Sequence, residues 1–162
     1  FAGCDLGYND PTALVIGNID EENKTIYVLD EWVETEKTND EIARVMLAKG
    51  LAKTPVIIDS AEPKSIEEIK RKGVRKATPS VKGKDSVLFG IQKLQGYRIV
   101  VHPRCENMIT ALENYAWKKD KKTGEYIDEP DHTFSHCCDA LRYGIQVMNG
   151  NKLKSINKKM LF

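Results

Sequence analysis

Short apolar stretches rich in β-branched residues alternate along the chain with segments whose apolar positions recur every three or four residues. These are the two periodicities of strand and helix. Residues 1–6, 11–17 and 25–33 predict three strands, the last carrying Thr25, Ile26, Tyr27, Val28, Trp32 and Val33. Asn9-Asp10-Pro11 and Asp20-Glu21-Glu22-Asn23 supply turn chemistry between them, so a meander opens the fold. Thr38 and Glu41 then form a capping-box pattern ahead of Ile42, Val45 and Met46, and the helical spacing ends near Gly50.

The uninterrupted run Val56-Ile57-Ile58 suits a strand covered on both faces, with Asp59 emerging at its C-terminal end. Pro63 opens a second helix that carries Ile66 and Ile69 and stops at Gly73, and Val74 to Thr78 predicts a short strand. Asp85 or Ser86 is placed to cap a third helix with Val87, Leu88, Ile91 and Leu94 on one face. Arg98 to Val101 follows as a strand, and Met108, Ile109, Leu112 and Tyr115 mark a fourth helix from about Arg104. Trp117 and Tyr126 bracket a run of lysines and turn formers, predicting a solvent-projecting β-hairpin over residues 117–127 whose two aromatic rings hold it together. The last helix starts near Ser135, where Ala140 and Gly144 let its backbone approach the sheet. The expectation is one α/β domain over residues 1–149, a mixed sheet flanked by helices, followed by a tail at 150–162.

A length of 162 residues suits a single core. Twenty-five Lys and Arg against 24 Asp and Glu leave a net charge of +1, so any surface for nucleic acid must be local. Basic residues do gather locally, at Lys70-Arg71-Lys72, at Lys82 with Lys84, and at Lys118, Lys119, Lys121 and Lys122. The four cysteines show no C-x-x-C spacing, which points to a reducing, cytoplasmic setting. His136 beside Cys137 and Cys138 lacks the separated, regular ligand spacing of a structural zinc site. No run reaches transmembrane length and no signal peptide is evident. A chain starting at Phe1 inside a strand-like segment reads as an excised domain or a processed product.

Three aspartates sit at element ends: Asp5 closes the first strand, Asp59 the strand at 56–58, and Asp139 lies in the first turn of the last helix. If these ends converge, the clustered negative charge calls for a cation, and oxygen donors of this kind suit Mg²⁺ or Mn²⁺. His136 lies one helical turn before Asp139 and faces the same way, placed to order or deprotonate a water. Glu62 and Asp131 are reserve carboxylates, although Glu62 equally suits the first turn of the helix opening at Pro63. Lys82 and Lys84 flank Gly83 ahead of a helix start, a local arrangement that suits a DNA phosphate or a solvated loop. His102 and His132 have no comparable context.

Taken together, Cys4-Asp5-Leu6-Gly7, Ile58-Asp59-Ser60-Ala61-Glu62-Pro63, Lys82-Gly83-Lys84 and His136-Cys137-Cys138-Asp139-Ala140-Leu141-Arg142-Tyr143 resemble the C-terminal nuclease domain of tailed-bacteriophage terminase large subunits. The resemblance runs to about Val147 and implies an RNase H-like fold with a β-hairpin near the active site. It implies a metal-dependent endonuclease that cuts concatemeric double-stranded viral DNA during packaging, with little sequence specificity. Two Mg²⁺ or Mn²⁺ ions would be held by Asp5, Asp59 and Asp139, with Asp5 bridging and His136 assisting. The partners implied are an N-terminal packaging ATPase domain of the same polypeptide, the portal and the small terminase subunit, in the cytoplasm of an infected bacterium and away from any membrane. No G-x-x-x-x-G-K-[ST] loop is present in this stretch. Two other readings share the acidic strand ends: a Holliday-junction resolvase, which would prefer branched DNA as a dimer, and one lobe of an actin-like ATPase, which would need a second lobe and glycine-rich phosphate loops.

Overall fold

The structure is a computed structural model describing residues 1–148; the tail expected at 150–162 lies outside the described residues. Strands β1 (Ala2–Asp5), β2 (Thr12–Asp20) and β3 (Thr25–Glu34) form the antiparallel meander. Helix α1 (Asn39–Ala48), strand β4 (Val56–Ile58), helix α2 (Pro63–Arg71), strand β5 (Ala77–Pro79), helix α3 (Ser86–Gln95), strand β6 (Arg98–Val101) and helix α4 (Glu106–Asn114) follow in alternation. The six strands make one mixed sheet in the order β5-β4-β1-β2-β3-β6. Within it β1/β4, β4/β5 and β3/β6 are parallel.

A separate hairpin of β7 (Trp117–Lys119) and β8 (Tyr126–Pro130) comes next, then a 3-10 turn at His132–Phe134 and helix α5 (His136–Gly144). The two aromatic rings expected to hold the hairpin together do not pair. A slip between Trp117 and Lys119 sets Trp117 opposite Pro130 and Lys119 opposite Tyr126. Tyr126 is instead covered by the Lys119 ammonium, 4.9 Å from its ring centre. The strand expected from Val74 starts only at Ala77, because Val74 turns inward as a fully buried core residue behind Gly73, whose φ of 120° a side chain would resist.

Side-chain alternation splits the core into two halves. Ala2, Cys4, Leu14, Val56 and Ile58 point to one face, where Ile42 and Met46 of α1 and Ile66 and Ile69 of α2 cover them. Thr38 closes the start of α1 through the expected capping box with Glu41. Ala13, Val15, Ile26 and Val28 point to the other face, beneath Met108 of α4 and Ala140 and Leu141 of α5.

Since Ala2 and Cys4 face α1 and α2, Gly3 and Asp5 face α5. The helix lies directly on the strand there. A Cβ on Gly3 would collide with the Ala140 carbonyl oxygen and lie 2.5 Å from the Gly144 nitrogen. Two strand residues advance about 6.6 Å, and four helical residues advance about 6 Å. The contact of Gly3 with Ala140 therefore carries Asp5 to the level of His136.

Candidate active site

Parallel pairing of β1 with β4 aligns Cys4 with Ile58, and the Asp59 amide donates to the Cys4 carbonyl at 2.9 Å. Asp5 and Asp59 consequently leave adjacent strand ends side by side. Asp139 arrives from the first turn of α5, its own amide bonded to the Ser135 carbonyl at 2.7 Å. These acids and His136 line one cleft of about 560 Å³, whose walls include Tyr8, Asp10, His132 and Tyr143.

Each acid has its own basic partner. His136 Nδ1 lies 3.0 Å from Asp5 Oδ2. Lys82 Nζ forms an ion pair with Asp59 Oδ1, and Arg142 donates to Asp139 Oδ1 at 2.8 Å. Burial pushes the Asp5 carboxyl up to about 6 despite the opposing bond from His136, and the charges of Asp139 and Asp59 add to the rise. Among the described residues no three His, Cys, Asp or Glu side chains close on a single ion position; each carboxylate faces a nitrogen of its basic partner.

The sequence-predicted residues Asp5, Asp59, Asp139 and His136 thus meet, and Lys82 meets them. Lys82 and Lys84 both line a neighbouring groove with Val81 and Phe89, and of the two Lys82 reaches over to the acids, through Asp59. Glu62 accepts from the Ser65 hydroxyl at 2.8 Å and lines a different groove. Asp131 caps the 3-10 turn by accepting from the Thr133 amide at 2.9 Å. His132, passed over in the sequence, lines the cleft because that turn folds between the hairpin and α5. Arg142 was visible only as part of a motif; its spacing of three from Asp139 on a helix is the signal that reveals the pairing. The amide of Asp131 donates to the Ala116 carbonyl at 2.9 Å and closes the hairpin base beside the cleft.

A meander followed by alternating helices and parallel strands, with acids at the ends of neighbouring strands, defines an RNase H-like fold. Residues 5–147 match the family described as the terminase RNAseH like domain, and the chain belongs to that family. It is 33% identical over 160 residues to the large terminase subunit of Escherichia phage T5, covering 93% of this chain, and 32% identical over 148 residues to that of Bacillus phage SPP1, covering 89%. It spans about a third of the length of these curated relatives, 35% in each case. The crystal structure of the SPP1 large-terminase nuclease domain with bound Mn superposes with a TM-score of 0.81 at 32% identity, covering 88% of this chain and 82% of that one. Among the described residues no helix is long and apolar enough to cross a membrane.

Proposed function

We propose that this chain is a divalent-metal-dependent endonuclease domain that cuts double-stranded viral DNA during genome packaging. The observation that carries the reading is the convergence of Asp5, Asp59, Asp139 and His136 on one cleft at the ends of β1 and β4. The donor set fits hard divalent ions: three carboxylates, one of them disposed by burial and its neighbours to shed its excess negative charge. Mn bound to the SPP1 domain supports the same choice.

Asp5, Asp59 and Asp139 would hold two ions, Mg²⁺ or Mn²⁺, which when bound lower the pKa of water and neutralise charge on the phosphate. Asp5 accepts from His136 Nδ1 and so leaves Nε2 as the nitrogen that takes a proton from the attacking water. Arg142 keeps the Asp139 carboxylate oriented. Lys82 and Lys84 meet backbone phosphates, contacts that carry no sequence information and make the cut indifferent to sequence. The packaging ATPase domain of the same polypeptide, the portal, the small subunit and the infected bacterial cytoplasm complete the setting. The strong match to large terminases favours this reading over a junction resolvase or an actin-like lobe.

Plasmid nicking tests it. Relaxation of supercoiled DNA is expected with Mn²⁺ or Mg²⁺, lost with EDTA, lost in Asp5→Asn, Asp59→Asn and Asp139→Asn, and slowed about 100-fold in His136→Ala. Cleavage that survives EDTA overturns the reading.

A further inference from the structure

Of the three acid–base contacts in the cleft, those made by Arg142 and by Lys82 are built differently. Arg142 is 6% exposed, its guanidinium carbon is 4.7 Å from the Tyr143 ring centre, and its stem fills the space over Gly90, where a Cβ would lie 2.5 Å from Arg142 Cδ. His136 sits at the first position of α5, on the helix that packs against Gly3. Arg142 has no room to leave, and His136, 27% exposed, is carried by a helix rather than a loop. Lys82 stands on the loop between β5 and α3, and its side chain is 44% exposed.

That loop has one fixed point next to the lysine. The Gln146 side chain grips both backbone groups of Val81: Oε1 accepts from the Val81 amide at 2.8 Å, and Nε2 donates to the Val81 carbonyl at 3.2 Å. The Lys82 backbone therefore starts from a held position while its four-carbon stem remains free to swing. Its ammonium rests on Asp59, 5.9 Å from the Tyr143 ring centre. A compact charge on a flexible stem is suited to exchange, whereas a planar guanidinium stacked on a ring and carried by a buried stem is not.

We propose that the Lys82 ammonium is an exchangeable stand-in for a divalent cation at Asp59, which an entering ion must displace and which the displacement frees to meet a DNA phosphate. This rests on the nuclease reading, in that Asp59 is taken as a metal ligand. Loading on the Asp59 side is then weakened by the cost of breaking the ion pair, and the Asp139 side, whose cation stays in place, carries no such penalty. DNA and metal reinforce each other, because a phosphate that captures the released ammonium removes the competitor from Asp59.

Mn²⁺ binding to the intact 162-residue chain, read by the loss of free-ion EPR signal and by calorimetry, tests this without any cleavage assay. Lys82→Gln is expected to tighten the weaker Mn²⁺ site about five- to tenfold, in line with release of one partly exposed ion pair. Lys84→Gln removes the same charge from a lysine outside the cleft and is expected to change affinity less than about twofold. The gain from Lys82→Gln should vanish in the Asp59→Asn background. In the metal-free protein Lys82→Gln should lower the Tm, and Mn²⁺ should raise it by more than in wild type. Equal affinity in wild type and Lys82→Gln, with Mn²⁺ bound in both, overturns the stand-in and leaves the nuclease reading intact. Equal gains in Lys82→Gln and Lys84→Gln also overturn it, in favour of a general field effect. Failure of every variant, wild type included, to bind Mn²⁺ overturns both.

Discussion

The two faces of the sheet are sealed by different means. On the face of α1 and α2, side chains do the spacing: Ile42, Met46, Ile66 and Ile69 stand between helix backbone and strand. On the face of α5, Gly3, Ala140 and Gly144 bring backbone against backbone. A layer of aliphatic side chains yields to small changes in volume by rotamer shifts, at modest cost. Backbone contact has nothing to rotate. The proposed site lies on the second face, where the height of one strand residue above another fixes Asp5 opposite His136. Positional precision is bought here with small residues.

One methyl group on each face separates the two cases. Gly3→Ala adds a carbon that must push α5 off β1, and is expected to cost about 3 kcal/mol or more and to abolish Mn²⁺ binding in whatever remains folded. Urea unfolding monitored by circular dichroism, paired with EPR, measures both. A stable Gly3→Ala protein with wild-type metal affinity would remove the backbone contact as the determinant of the site.

The α5 face also stores electrostatic cost that the aliphatic face lacks. Because the folded protein holds the Asp5 carboxyl at about 6, above the ordinary value near 3.9 of an unfolded chain, the native state binds more protons between roughly pH 4 and 6. Wild-type stability contributed by this group therefore rises as pH falls through that window, and the full penalty is present above it. In EDTA, Asp5→Asn is expected to be more stable than wild type at pH 7.5 by on the order of 2 kcal/mol, with the gap closing toward pH 4.5. Thermal melts across that range decide it, and a gap that widens on acidification contradicts the assignment.

The smallest effect belongs to the aliphatic face. Ile69→Val deletes one methyl from a fully buried position, for an expected loss of about 0.5–1.5 kcal/mol. Mn²⁺ affinity and nicking per folded molecule should stay at wild-type values, and loss of either would show that the two faces are not independent.

Much of the frame was legible because its signals are local. Turn residues marked the meander, Thr38 and Glu41 marked the start of α1, and an apolar run ending in Asp59 marked β4. Ala140 and Gly144 announced a close-lying helix, although only the sheet register identified Gly3 as what they touch. The pairings within the cleft were not legible. Lys82 reaches Asp59 across a strand and a loop, and His132 enters the cleft through a 3-10 turn that no periodicity announces. The hairpin register escaped because a slip of one residue reverses which side chains face each other, and its sequence holds no strong preference between the alternatives.

The four cysteines have a practical consequence. Cys4, Cys105, Cys137 and Cys138 are all free and buried, and burial pushes the thiols of Cys137 and Cys138 up to about 12. At neutral pH they hold almost no thiolate, the form that reacts with maleimides. The folded domain is thus nearly silent to thiol labelling without any cysteine being removed. A single cysteine introduced at exposed Lys121 on the hairpin tip would carry a fluorophore against this dark background and report the hairpin's distance from bound DNA.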